Sequence, residues 1–363
     1  MPERFSTSAP VDGGVVVVGA GLSGMTAARE LIRAGLSVVV LEADDRIGGR
    51  VRGVPIGEGE TVEIGGQYVG PDQDSILALA DELGVGRYPA HMVGDHMHYT
   101  ANGSIMRIVG GRDRASTYRF LGGAQRIAEG LAGELAGSIR LNSPVRRIIR
   151  SGDEVIAQTD TAAIRARRAL VAIPPPFAAE IEFIPDVVRE RAALAVRSHS
   201  TTQIKANIVY ARPFWRANGL SGCVLSEQGQ FRNIWDNTPA SGRPGVLAGF
   251  ITGDAAAALD DAGDAQLRRV IVDDLVRYFG EDAARPREVL FHRWRQEPWI
   301  QGCSGSLAHL GVTHPRTIRR PGRLVHWAGT ETAECWQGHM DGAVSAGSRA
   351  AREIALVLGA TAR

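Results

Sequence analysis

Val15 to Val18 form an apolar, β-branched run that stops at Gly19-Ala20-Gly21-Leu22-Ser23-Gly24, and helical spacing takes over from Met25 to about Ala34. A second apolar run, Leu36 to Leu41, ends in Glu42. Strand, glycine turn, helix and strand make a βαβ unit of roughly thirty residues. In such a unit Gly19 permits the tight turn, Gly21 lets a pyrophosphate approach the backbone, and Gly24 lets helix and strand pack closely. The phosphates then face a helix N-terminus, whose unpaired N–H groups and dipole favour anions. Glu42 lies eighteen residues past Gly24, at the end of the second strand, where it can accept from ribose hydroxyls. The pattern points to a bound dinucleotide.

A second chemical signal is an exception in the basic residues. Lysine and arginine total 41, and Lys205 is the only lysine. Arginine is a permanently charged planar fork, whereas lysine is a compact ammonium whose pKa moves with burial, so a position that keeps lysine points to a need for the latter. The cysteines are Cys223, Cys303 and Cys335, an odd number with no paired spacing, which argues against a disulfide scaffold and suits a reducing, cytoplasmic compartment. His91, His96 and His98 cluster with Met92 and Met97, but no acid or cysteine completes a ligand set, so no metal is expected.

The elements that position these residues fit a two-domain chain. A length of 363 residues leaves room for two cores, and a formal net charge of +1 gives no global field toward nucleic acid or an anionic membrane. No apolar run is long enough to cross a bilayer, and the polar lead-in before Val15 does not read as a secretory signal. Apolar residues recur at helical spacing over Asp74 to Leu83, Gln125 to Leu135 and about Ala265 to Phe279. Ile139 to Ile173 alternates between turn signals and reads as a short antiparallel meander leading into a buried strand, Ala169 to Ile173, which Pro174-Pro175-Pro176 ends. Gln203 to Tyr210 reads as a strand carrying Lys205. Ala255 to Ala258, beside Asp260 and Asp261, reads as a helix start or loop rather than an acid site.

Beyond the fingerprint, LEADDRIGGRV around Glu42 resembles the FAD-containing amine oxidase family, the monoamine and polyamine oxidase group. Four more blocks carry the likeness: Gly65-Gly66-Gln67-Tyr68-Val69-Gly70-Pro71, Gly122-Gly123-Ala124-Gln125, Lys205 within IKANIVYARPFW, and HWAGTETAECWQGHMDGAVSAGSRAAREI near the C-terminus. They are spread over nearly the whole chain. The resemblance implies an α/β fold with a Rossmann-like FAD-binding domain of the glutathione-reductase type and a smaller α+β substrate domain, discontinuous in sequence. The first would take residues 11–85, 119–195 and 297–360, and the second 86–118 and 196–296.

By the same resemblance Gly48, Gly49 and Arg50 hold phosphate and flavin, and Gly65, Gly66, Gln67 and Tyr68 form the flavin-side loop. The Val145 backbone meets the adenine. Gly329, Thr330 and Glu331 approach the cofactor a second time, and Trp336 and Met340 to Ala343 continue its wall. Cys303 matches a cysteine joined to the flavin in monoamine oxidases; covalent and non-covalent FAD both stay open. Lys205 would hold a water near the flavin's reactive nitrogen. The implied reaction oxidises an amine by hydride transfer to FAD; the imine hydrolyses, and O2 restores the flavin with H2O2 as product. A desaturase acting on C–C bonds and a flavin-bearing interaction protein remain alternatives.

Two departures from the family pattern matter. Positions where relatives carry two aromatic rings hold Ser304 and His339 here, which offer hydrogen bonds and a titratable imidazole to a polar, bulky or atypical substrate, or simply fill the space. A long, mostly helical insert that covers the cavity in relatives is absent, leaving only His91 to Leu121 between Tyr88 and Gly122. A carrier-borne substrate or a second protomer in a homodimer would then cover the site.

Overall fold

Val15–Val18 is buried along its whole length and pairs in parallel on both sides, with Val38–Leu41 and with Arg168–Val171. Such two-sided burial is what an uninterrupted valine run suits. The computed structural model describes residues 14–110, 117–185, 202–300 and 319–360. Val325–Trp327 and Ile139–Arg140 complete a five-stranded parallel sheet around that central strand. Ile139–Arg140 was expected in the meander; it joins the parallel sheet instead, because Val40 N–H donates to Ser138 O and Glu42 N–H to Arg140 O, at 2.8 and 2.9 Å. The chain then turns at Asn142, whose φ of 50° is a conformation asparagine tolerates better than most residues. The rest of the meander forms a separate sheet, Val145–Ser151, Glu154–Thr159 and Ala163–Ala166 antiparallel, with Glu182–Ile184 added in parallel.

One face of the parallel sheet is covered by helix Leu22–Arg33, which starts three residues before the sequence suggests. Ser23 and Gly24 are poor helix formers, and tertiary packing holds them in the first turn. The C-terminal helix Met340–Val357 lies against this helix so closely that a Cβ on Gly347 would stand 2.3 Å from the Ser23 carbonyl oxygen. The other expected helices are present as Asp74–Glu82, Gln125–Glu134 and Asp264–Phe279. Strand Arg168–Val171 is followed by helix Pro175–Glu180, whose first turn tolerates proline because its N–H groups have no helical acceptor. Ala255 to Ala258 belongs to helix Gly253–Asp260, and Asp260 is buried under Arg295.

A second, seven-stranded sheet runs in the order 288–293, 203–210, 245–252, 233–236, 220–226, 95–99, 105–108. Helices Gly253–Asp260 and Asp264–Phe279 cover one face, where Ile204, Ala206 and Ile208 meet Leu267, Ile271 and Leu275. Alternation along Gln203–Tyr210 therefore turns Lys205 and Asn207 to the opposite face, toward residues 63–67 of the first sheet's side of the molecule.

The helix contact at Gly347 gives a direct test. Gly347→Ala forces the two helices apart and is expected to lower stability by about 1–3 kcal/mol, read as a shifted denaturant midpoint with the slope unchanged. An unmoved midpoint contradicts the close contact.

Candidate active site

The three fingerprint glycines stand in three different surroundings. Gly19 has φ of 102°, which L side chains rarely adopt. A Cβ on Gly24 would meet the Gly19 carbonyl oxygen at 2.0 Å, so helix and loop touch there. A Cβ on Gly21 would meet no protein atom within 4 Å; it would project into open space beside the helix N-terminus. That open space is part of a cleft of about 1110 Å³, partly open to solvent, lined by Gly19, Gly21, Gly48 and Gly49 and by Gly329, His339 and Met340. A smaller hollow at Val145, Ser143 and Glu180 shares Gly19, Glu42, Ile173 and Trp299 with it, so the two form one elongated groove.

Glu42 lines both parts. Its carboxylate accepts the N–H groups of Ala20 and Asp44 at 2.6 and 3.0 Å. Burial raises its pKa against those hydrogen bonds. Each oxygen retains a lone pair for a ribose hydroxyl. Arg50 pairs with Glu331, Nη1 to Oε1 2.8 Å, tying the Gly48-Gly49 loop to the C-terminal turn. The other Glu331 oxygen, Oε2, is buried without a hydrogen-bond partner. The C-terminal turn is itself tight: Trp336 has φ of 55°, its ring meets His339 edge-on at 5.2 Å, and a Cβ on Gly342 would lie 2.2 Å from its carbonyl oxygen.

Lys205 is 1 % exposed and stands behind the groove wall. Its Nζ donates to Gly65 O at 2.8 Å and to Gln67 Oε1, and lies 5.8 Å from the Phe250 ring centroid. Gln67 lines the groove, so the lysine reaches it through that side chain. Gln67 Nε2 donates to Asn237 Oδ1 at 3.0 Å, Asn237 Nδ2 to Asn207 Oδ1 at 2.7 Å, and Asn207 Nδ2 to Glu63 O at 3.1 Å. Arg119 closes the chain of bonds, donating to Asn237 O at 2.8 Å and to Glu63 Oε2 at 2.7 Å. His292 pairs with Lys205 across the sheet; burial, with Arg52 and Arg46 nearby, lowers its pKa to about 4, while its Nε2 lies 2.9 Å from Glu297 Oε1. Tyr68, Trp235 and Phe250 form an aromatic row, with centroids 5.9 and 5.3 Å apart, and burial pushes the Tyr68 hydroxyl well above its usual range.

The family model for flavin containing amine oxidoreductases matches residues 22–109 and 98–355. The chain belongs to that family. The flavin-containing monoamine oxidase AofH of Mycobacterium tuberculosis is 30% identical over 459 aligned positions, 98% of this chain and 99% of its own. An L-amino acid dehydrogenase of Synechocystis is 29% identical over 93% of this chain and 94% of its own. Among solved structures, cyclohexylamine oxidase from Brevibacterium oxydans superposes with a TM-score of 0.88 at 25% identity, over 96% of this chain and 100% of that one.

FAD is the family's cofactor, and the groove's donor set fits it. Backbone N–H groups at a helix N-terminus suit the pyrophosphate, the space at Gly21 admits it, Arg50 supplies a fixed cation, and Glu331 Oε2 is a buried acceptor still without a donor. Of the residues singled out from sequence, Gly19, Gly21, Glu42, Gly48, Gly49, Arg50, Gly66, Gln67, Tyr68, Gly329, His339 and Met340 line the main cleft. Val145 lines the adjoining hollow. Gly24, Gly65, Lys205, Glu331 and Trp336 act behind the wall, through packing, hydrogen bonds or the ion pair. His339 is exposed at the mouth, its Nδ1 3.0 Å from Gln337 O. Cys303 and Ser304 lie outside the described residues.

Sequence reasoning missed Glu63, Arg119, Asn207 and Asn237. Asn207 had a signal: it sits two residues from Lys205 on one strand, hence on the same face. The others had no local mark. Arg119 and Glu63 are 2 % and 0 % exposed, so Arg119→Met leaves an uncompensated buried carboxylate and is expected to cost about 3–5 kcal/mol in chemical unfolding. A loss of under about 1 kcal/mol would match a surface pair instead.

Proposed function

We propose that the protein oxidises an amine at its C–N bond. The carbon next to nitrogen loses a hydride, the nitrogen loses a proton, and the resulting imine takes up water to give a carbonyl compound and ammonia or a shorter amine. FAD supplies the hydride acceptor, and O2 takes the electrons from it to give H2O2. The observation that carries the reading is the sole lysine, buried and hydrogen-bonded to the flavin-side loop at Gly65 and Gln67. A lysine head fixed there, beside a groove that fits FAD, suits a role in positioning water or dioxygen at the reacting face.

In this reading residues 11–85, 119–195 and 297–360 bind the cofactor, while 86–118 and 196–296 present the substrate side. Tyr68, with Trp235 and Phe250 behind it, supplies aromatic surface to an amine, and His339 at the mouth offers a hydrogen bond to a polar or bulky substrate. The likeness to an L-amino acid dehydrogenase favours trying amino acids beside simple amines. No described helix is long and apolar enough to cross a membrane, and the unpaired cysteine pattern suits the cytoplasm.

The purified holoenzyme is expected to release peroxide with members of an amine and amino-acid panel, and Lys205→Met to slow flavin reoxidation or turnover by at least about tenfold. Unchanged rates in both half-reactions would remove the role of Lys205, and a flavin that no amine bleaches anaerobically would remove the activity. Acid precipitation tests the Cys303 link: the yellow colour is expected to stay with the protein and to be released by Cys303→Ser. Free flavin from the unaltered protein rules the link out.

A further inference from the structure

Val145 and Arg146 are neighbours on one strand, yet both line the hollow at the end of the groove. Strict alternation would send them to opposite faces. The pairing with the next strand accounts for the exception: Val145 stands opposite Thr159 and Arg147 opposite Gln158, so Arg146 is the extra residue of a β-bulge. A bulge re-aims a side chain, and bulges recur beside functional sites for that reason. Arg146 is aimed at Trp299, its Cζ 5.5 Å from the centroid of that ring and within cation–π reach. Asp160, just past the neighbouring strand, accepts from the edge of the guanidinium at Nε and Nη2, both at 2.9 Å. An exposed pair of this kind adds little stability, but its two parallel bonds fix the direction of the fork.

Trp299 comes from the opposite side of the groove. It follows strand 288–293, and the turn before it is anchored. Trp294 donates its indole N–H to Ile64 O at 3.0 Å, and Glu297 pairs at 2.9 Å with Arg52, just past the Gly48-Gly49 loop. Two residues beyond Glu297, the half-buried Trp299 lines the main cleft and the hollow alike, as Gly19 and Glu42 do. Its ring therefore stands at the waist where the two parts of the groove meet, and Arg146 reaches it there from the four-stranded sheet.

We propose that Trp299 is a latch on the adenosine half of FAD and that Arg146 is the positioning residue that holds it shut. The inference rests on the fit of FAD to the groove and goes beyond it, assigning retention of the cofactor to residues outside the glycine loops and the C-terminal turn. Gly19 and Glu42 meet the nucleotide from one side, and Trp299 adds an aromatic surface at the same level of the groove, of the kind that bases and sugars pack on. The nucleotide then leaves only when the ring swings away. Because Asp160 already occupies the edge of its guanidinium, Arg146 acts through the ring rather than on a phosphate.

Release of FAD from the purified holoenzyme tests the latch apart from any turnover. It is followed as the appearance of free flavin fluorescence after dilution, in a Cys303→Ser background so that a covalent link cannot mask it. Trp299→Ala is expected to release FAD at least about tenfold faster, and Trp299→Phe to restore most of the retention. Arg146→Gln is expected to release it about threefold faster, yet to add nothing to Trp299→Ala in the double variant, since it acts through the ring. Unchanged release from Trp299→Ala overturns the latch. A double variant whose effects multiply overturns the positioning role and puts Arg146 on the cofactor itself. Should Trp299→Ala fail to fold, Arg146→Gln carries the test on an exposed side chain, and unchanged release from it overturns the proposal. A chain that takes up no FAD, seen as missing visible absorbance before any dilution, overturns the cofactor reading and the latch together, whereas FAD held as firmly without the ring overturns the latch alone.

Discussion

A lysine head taken out of water is costly unless hydrogen bonds replace the solvent, and the seam between the two sheets is organised around meeting that requirement. Lys205 comes from the second strand of the seven-stranded sheet, between strands 288–293 and 245–252; its acceptors, Gly65 and Gln67, come from the segment that follows the first glycine loops. Neither side can shift by a residue without leaving buried polar groups unmatched. The Glu63–Arg119 pair strengthens the condition, because Arg119 also holds the Asn237 carbonyl and Asn237 in turn orients Gln67. The seam thus fixes the angle of one groove-lining side chain through five buried residues. These bonds couple the two sides of the seam, which suits a wall that must hold a flavin edge in place, while Glu63 Oε1 and Arg119 Nε are buried with no hydrogen-bond partner among the described residues.

The nucleotide end depends on a different constraint, close backbone approach. Gly24 touches Gly19, Gly347 touches Ser23, and Gly342 touches Trp336 O, so the first and last helices of the described chain converge on one loop. Arg50 and Glu331 add an ion pair between the Gly48-Gly49 loop and the turn that precedes the last helix. A dinucleotide stretched along this groove meets sequence from both ends of the chain.

How much of this could be read in advance follows from how local each feature is. The fingerprint was legible because turn, approach and packing are each imposed on one glycine within a span of six residues. Lys205 was legible because it is the sole lysine in a chain rich in arginine. Arg119 and Asn237 were not, since their importance lies in partners 56 and 170 residues away and their neighbours carry no periodic signal. Ile139–Arg140 was misassigned because alternation reports a strand but not which sheet takes it; backbone hydrogen bonds to Val40 and Glu42 decide that. The helix start was misjudged because propensity speaks against Ser23 and Gly24 while packing against the last helix favours them.

The same geometry explains how a member of this family can be short without losing its site. Strand Arg87–Pro89 pairs with Tyr118–Phe120, and Ala90 N–H donates to Thr117 O at 3.0 Å. The two ends of the intervening segment are therefore clamped together, and the clamp delivers Arg119 to Glu63. Loop-closure entropy grows only slowly with length, so chain added or removed between Ala90 and Thr117 changes stability little as long as that clamp holds. None of the seam's hydrogen bonds described above comes from the segment between them. Its strands, 95–99 and 105–108, attach at the sheet edge farthest from Lys205, with three strands between them and the lysine's own. Length can vary there because the physical requirements of the site end at the clamp, and what the variation alters is the surface that lies over and beside the sheet.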